Sequence, residues 1–205
     1  MAKASGKRTA AILAMAGGLT LLAGCRFDGH KGADGDNVKI ATPFGDMSVK
    51  TDQQAVEGGV GLTVYPGAAL VKKENGKDNG AADVNMSFGS FHLGVKALSY
   101  RTPDAPAKVE AFYRKDMTRF GTVILCNGNR AVGTPDHTQD GLSCSDENKG
   151  KIEVDDTSKR ELKAGSKQHQ HIVSIDPDGT GTKIGLVALE LPGHLGLDEN
   201  DKDKD

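Results

Sequence analysis

The chain has 205 residues and is mildly acidic, with 26 Lys and Arg against 28 Asp and Glu and a formal net charge of −2. This balance gives no electrostatic footprint for nucleic acid, which excludes that class of partner. Aromatic residues make up 4% of the chain and Trp is absent, so the core must be modest and built from Val, Ile, Leu and a few Phe.

The N-terminus has the pattern of an export signal. Lys3, Lys7 and Arg8 give it a positive start, and residues 9–24 carry no charge and are rich in Ala, Leu and Gly. A transmembrane helix needs about 20 consecutive apolar residues, and this run is shorter and interrupted by glycine. We therefore expect residues 1–24 to be a signal peptide.

The end of this run and the cysteine after it resemble the lipobox of bacterial lipoproteins. Leu22 lies three positions before Cys25, and Ala23 and Gly24 are the small residues between them. The resemblance implies cleavage before Cys25, diacylation of its thiol and anchorage in a membrane through that lipid. By resemblance to the lipoproteins of Gram-negative bacteria, a residue other than Asp after the cysteine, here Arg26, implies anchorage in the outer membrane. The alternative is an ordinary signal peptide in which Cys25 is incidental.

The first half of the mature chain reads as a tether followed by strands. Residues 25–37 are rich in Gly and Asp without apolar periodicity, which predicts a flexible tether. Alternating apolar residues predict a hairpin over 38–52, a strand over 60–71 with a turn at Pro66-Gly67, and a second hairpin from 82–88 and 91–100.

One segment has a convincing helical pattern, at residues 104–121. Asp104 is a good N-cap, and Pro106 lies in the first turn, where its missing N–H costs nothing. Apolar side chains recur at helical spacing and predict a face packed on a sheet. These side chains are Val109, Phe112, Tyr113, Met117 and Phe120.

The second half predicts further strands and a charged tail. A strand at 121–126 precedes a long polar segment, and 170–175 with 182–191 predict a terminal hairpin. Residues 192–205 are polar and charged and predict disorder. The expected fold is a single α+β domain over 38–191, an antiparallel sheet of hairpins with one principal helix packed on a face.

Two further cysteines fit a structural disulfide. Cys126 ends a predicted strand and Cys144 follows it in the polar segment, without the CxxC spacing of a redox or zinc site. In an exported protein such a pair favours a disulfide over two free thiols. Cys25 is then the odd cysteine.

The strongest metal candidate is a histidine pair. His169 and His171 project from the same face of a predicted strand and could share a metal ion. A catalytic zinc site needs a third ligand, and His92 or His137 is available, but nothing in the sequence brings either close. The alternative, histidines at the rim of the core, requires no metal.

A second resemblance covers about half of the mature chain. Tyr65-Pro66-Gly67-Ala68, then Thr102 with Asp104, then Val109 and Phe112-Tyr113 resemble a domain that recurs in bacterial envelope lipoproteins. The matched residues fit a turn, a helix cap and a core. The resemblance therefore implies fold and location, and no catalytic residue.

These patterns lead to one functional expectation and one rival. We expect a lipid-anchored envelope protein, in the outer membrane and facing the periplasm, which acts as a non-enzymatic binding or structural module without a cofactor. Its protein or small-molecule partner cannot be read from the sequence. The rival is a metal-dependent periplasmic enzyme that uses His169 and His171.

Overall fold

A computed structural model describes residues 26–32, 35–71, 80–145 and 160–193. Cys25, residues 1–24 and most of the predicted tail lie outside these ranges. The described strands are β1 Arg26–Gly32, β2 Gly35–Thr42, β3 Gly45–Lys50, β4 Ala69–Leu70, β5 Ala81–Phe88, β6 Phe91–Thr102, β7 Ile124–Asn127, β8 Arg130–Ala131, β9 Arg160–Gly165, β10 His169–Asp178 and β11 Gly181–Glu190. The helices are α1 Gln53–Val60 and α2 Pro106–Asp116, and α2 continues as a 3₁₀ turn, Met117–Phe120.

The strands form one antiparallel sheet in the order β1-β2-β3-β5-β6-β11-β10-β9-β7-β8, with β4 paired to the end of β6. The fold is therefore mixed but dominated by strands, which supports the expected α+β class only in its coarse form. Within the described ranges, no helix is both long and apolar enough to cross a bilayer.

Both helices pack on the same face of the sheet. Val56 and Val60 of α1 and Val109 and Tyr113 of α2 are fully buried in one cluster with Met117. That cluster also takes in side chains from β6, β11, β10, β9 and β7, which are Leu98, Tyr100, Ile184, Leu186, Val173, Ile175, Leu162, Ala164 and Leu125. The predicted apolar stripe of the helix is thus a core face, as expected.

The opposite face of the sheet is covered at one side only. Near β7, a small cluster of Ile124, Cys126 and Cys144 is buried there. Across the other half, the register places Val38, Val49, Val84 and Val95 in one row, and all four are half-buried. This face of the sheet is apolar, but no described helix packs on it.

All three predicted hairpins are present, as β2–β3, β5–β6 and β10–β11. The structure differs at the expected tether of 25–37, because Arg26–Gly32 pairs with Gly35–Thr42 along its whole length. Backbone hydrogen bonds to a neighbouring strand need no apolar side chains, so a composition without apolar periodicity gave no sign of this pairing.

The strand predicted over 60–71 is wrong. The chain forms α1 up to Val60 and then an irregular segment, and only Ala69–Leu70 pairs with β6. Val60 and Leu62 are buried because they pack in the core, which produces the apolar alternation without a strand. The predicted turn is present, since the Ala68 N–H donates to the Tyr65 carbonyl and Gly67 has a φ of +76°.

Asp104 is not the N-cap that the sequence predicts. The capping position is Ala105, which makes no side-chain hydrogen bond to the helix. The Asp104 carboxylate instead accepts a hydrogen bond from the Tyr65 hydroxyl and pairs with Lys108. The carboxylate is therefore used to join the turn at Pro66-Gly67 to the start of α2.

A strand, β9, lies within the long polar segment predicted between residues 126 and 170. Leu162 and Ala164 are fully buried, whereas Lys163 between them lies on the other face beside Glu161. Arg160 forms an ion pair with Glu110 of α2. Charged residues on both sides of two apolar ones concealed this strand.

Candidate functional site

The histidine pair lies at the start of β10, on the face that carries the helices. His169 is exposed, and His171 is half-buried with its ring stacked on Phe120 at 3.6 Å between ring centroids. Val173 and Ile175 continue the same row into the core. The two histidines therefore lie at the rim of the core, beside the end of the 3₁₀ turn.

The environment of His171 favours a neutral imidazole. Burial lowers its pKa below the ordinary value of 6.5, and the positive charge of Arg119 and the neighbouring His169 lower it further. Its Nδ1 atom is buried and has no hydrogen-bond partner within the part of the chain that the structure describes. A neutral ring is the form that binds a metal ion, but stacking on Phe120 alone also accounts for its position.

The structure does not bring His92 or His137 to the pair. The His92 ring lies 3.1 Å from the Ser87 hydroxyl and 3.4 Å from Glu190, and His137 lies 2.6 Å from Asp136. Among the residues that the structure describes, no group of three or more His, Cys, Asp or Glu could hold a metal ion. A metal role for His169 and His171 stays a prediction.

A polar network beside His171 joins the loop after α1 to the 3₁₀ turn. The Arg119 guanidinium donates to the Gly61 carbonyl at 2.6 Å and to Thr63 and Asp116 at 3.1 Å each. The Thr63 hydroxyl donates to Asp116 at 2.8 Å. This network could not be predicted from local sequence, because its two halves, Gly61 with Thr63 and Asp116 with Arg119, lie more than fifty residues apart in the chain.

The three tyrosines of the chain, Tyr65, Tyr100 and Tyr113, are all buried in the main core cluster. Tyr100 donates to Glu57 of α1 at 2.5 Å, and Tyr65 donates to Asp104 at 2.7 Å. The Tyr113 hydroxyl is buried and has no hydrogen-bond partner among the described residues.

The electrostatics of these groups fit structural roles. Burial raises the pKa of Tyr100 and of Tyr113, so both remain protonated at neutral pH. Hydrogen bonds from Lys108 and Tyr65 lower the pKa of the Asp104 carboxyl. The hydrogen bond from Arg160 lowers that of Glu110 in the same way. The carboxylates are therefore charged and already paired.

The predicted disulfide between Cys126 and Cys144 is present, with a Cα–Cα distance of 5.6 Å. Both cysteines are buried, and Leu142 beside them is fully buried. The Thr138 hydroxyl donates to the Gly165 carbonyl of β9 at 2.7 Å. The disulfide and this hydrogen bond hold the polar segment against the sheet.

The predicted lipidation residue, Cys25, lies outside the described residues, but its neighbour Arg26 begins β1. Arg26 is paired with Ala41 of β2, next to the β2–β3 turn. Comparison of the chain with protein families, curated proteins and solved structures finds no match.

Proposed function

We propose that this chain is a lipid-anchored protein of the cell envelope. In this proposal residues 1–24 are a signal peptide, Cys25 carries the lipid, and the outer membrane is the site of anchorage. The mature part is a single α+β domain that faces the periplasm and acts as a non-enzymatic binding or structural module.

One observation carries the anchorage: Leu22-Ala23-Gly24-Cys25 follows a positively charged start and an uncharged apolar run in the order that lipoproteins require. The Cys126–Cys144 disulfide adds support, because disulfides persist in oxidising compartments such as the periplasm.

The assignment as a binding or structural module rests on how the polar groups are used. The Arg119 guanidinium donates hydrogen bonds to Gly61, Thr63 and Asp116, and the Asp104 carboxylate pairs with Tyr65 and Lys108. Each group stabilises the packing of a helix or loop on the sheet. The broad apolar face without a described helix is the surface that such a module offers to a partner.

Cell fractionation of Cys25→Ser against the wild type tests the anchorage. We expect the wild type in the membrane fraction and Cys25→Ser in the soluble fraction, because two or more acyl chains are needed for stable anchoring. The control is Cys126→Ser/Cys144→Ser, which changes cysteines of the same chain but keeps the lipobox and should stay with membranes. A Cys25→Ser protein that fractionates as the wild type does contradicts the proposal.

A further inference from the structure

One end of the sheet carries most of the exposed aromatic surface of the described chain. Phe44, in the β2–β3 turn, is 84% exposed, and Phe88, beside the β5–β6 turn, is 46% exposed. The register pairs Gly45 with Phe88 and Phe88 with Phe91, so both turns lie at the same end. Soluble monomers rarely expose a cluster of large apolar side chains unless that cluster is an interaction site.

The start of β1 lies at this same end. Arg26 is paired with Ala41 and Phe27 with Ile40, one and two residues from the end of β2, and Phe27 is 66% exposed. Consecutive Cα atoms are about 3.8 Å apart, so a lipid on Cys25 leaves the chain beside these turns. Phe27, Phe44 and Phe88 are called the phenylalanine tip below.

The apolar surface continues inward from the tip on the face opposite the helices. Register places Phe27 in one row with Ile40, Met47, Met86 and Leu93. Residues directly opposite each other on paired strands share a face, so this row forms a continuous apolar band across five strands. Its members other than Phe27 are half-buried, and none belongs to the cores beneath the helices or the disulfide.

We propose that the phenylalanine tip inserts into the interfacial region of the membrane to which Cys25 is anchored. This inference rests on the proposed lipid anchor and adds a second, protein-borne contact with the same bilayer. Apolar side chains on a surface close to an anchor bury themselves at the boundary between headgroups and acyl chains. Arg26, whose side chain is 79% exposed and paired with Asp28 at 2.9 Å, lies beside Phe27 at the same end of the sheet.

Insertion of the phenylalanine tip fixes the orientation of the domain relative to the membrane. The tip lies at the β1–β6 half of the sheet, whereas the disulfide segment lies beside β7 and β8 at the other edge. A domain held by lipid and tip together stands with the β2–β3 and β5–β6 turns against the bilayer. A domain held by lipid alone has no such preference.

A single-tryptophan experiment tests the contact, because the chain contains no Trp. Phe44→Trp reports from the tip, and Val132→Trp is the matched control, since Val132 is also exposed, at 41%, but follows β8 at the far edge. Each full-length chain is produced with its native processing and reconstituted in vesicles of phosphatidylethanolamine and phosphatidylglycerol, with or without brominated acyl chains.

We expect brominated lipid to quench the Phe44→Trp emission about twofold or more, with a shift to shorter wavelength, and to leave Val132→Trp unchanged. Adding Phe27→Ser and Phe88→Ser to Phe44→Trp should reduce the quenching, since the rest of the tip is then polar. Equal quenching of both reporters, or none of either, overturns the inference. A shift to shorter wavelength without lipid that grows with protein concentration also overturns it, because the tip then packs on a second copy.

The mass of the purified chains separates this inference from the proposed anchor. An acylated Phe44→Trp chain that is not quenched overturns the tip contact and leaves the anchor standing. Chains without acyl groups overturn the anchor. Brominated vesicles can also be added to chains without acyl groups. If they quench the Phe44→Trp emission but not the Val132→Trp emission, the contact of the tip with membranes is supported independently of the anchor.

Discussion

Tyr100 and Tyr113 both place a hydroxyl in the core, but only the Tyr100 hydroxyl donates a hydrogen bond, to Glu57. Tyr100→Phe leaves the Glu57 carboxylate without this donor and should lower the free energy of unfolding by about 1.5–3 kcal/mol. Tyr113→Phe removes a buried hydroxyl that has no partner, so it should be neutral or stabilising. Urea unfolding of both variants at pH 7 makes the comparison.

The two tyrosine variants control for each other, since both delete one buried oxygen from the same cluster. Equal losses of stability would show that the Glu57 contact contributes nothing of its own. A large loss in Tyr113→Phe alone would show that its hydroxyl has a partner in solution.

The half-buried ring of His171 makes stability depend on pH. Its pKa is lower in the folded protein than in the unfolded chain, mainly because of burial, so the unfolded chain binds more protons. Stability should therefore fall as the pH drops through about 6.5, the ordinary histidine value, toward the lower folded value. His171→Gln removes this group, and its stability should vary less between pH 7.5 and pH 5.5 in urea unfolding.

An exposed histidine provides the control for that experiment. His137 lies on the exposed surface, and His137→Gln is the matched substitution of a histidine outside the core. If His171→Gln and the wild type have parallel stability curves over this range, the account of the His171 ring is wrong. Arg119 and His169 stay in place in both variants, so the difference reports His171.

At the scale of elements, the disulfide stabilises a segment that has few apolar residues of its own. Cys126→Ser/Cys144→Ser removes a cross-link between residues 18 apart, which should cost about 3 kcal/mol in the free energy of unfolding. The first effect should be local, because the two cysteines belong to a small apolar cluster with Ile124 and Ala131, separate from the main core among the described residues. Limited proteolysis of the variant should cut within residues 127–143 before it cuts elsewhere.

The control for the disulfide is the reduced wild type, which has the native side chains and no cross-link. It should show the same early cleavage and a similar loss of stability. Cleavage that starts in the β5–β6 hairpin instead would contradict the assignment of the disulfide to the polar segment.

The sequence predicts some elements well and others poorly, for physical reasons. The β2–β3, β5–β6 and β10–β11 hairpins have alternating apolar residues, and α2 has an apolar stripe at helical spacing, so local pattern is enough for all four. α1 contains Gly58 and Gly59 and is only eight residues long, so its pattern is weak. β1 and β9 form because a neighbouring strand supplies backbone partners, and such pairing has no local signal.

At the scale of the whole molecule, the sheet has two unlike faces. One carries both helices and the main core, and the other carries the disulfide segment at one edge and an apolar band ending in the phenylalanine tip. The sequence was enough to predict the disulfide between Cys126 and Cys144, and the position of the histidine pair at the rim of the core. It could not predict the tip, because Phe27, Phe44 and Phe88 meet only through the register of β1, β2, β3 and β5.

The intact mass of the protein extracted from membranes shows whether Cys25 carries lipid. We expect a chain that begins at Cys25 and exceeds its peptide mass by that of a diacylglyceryl group, with or without a third acyl chain, whereas the Cys25→Ser protein should lack this added mass. A membrane-extracted chain that still contains residues 1–24, or one whose mature mass equals that of the peptide alone, would show that Cys25 does not anchor the protein.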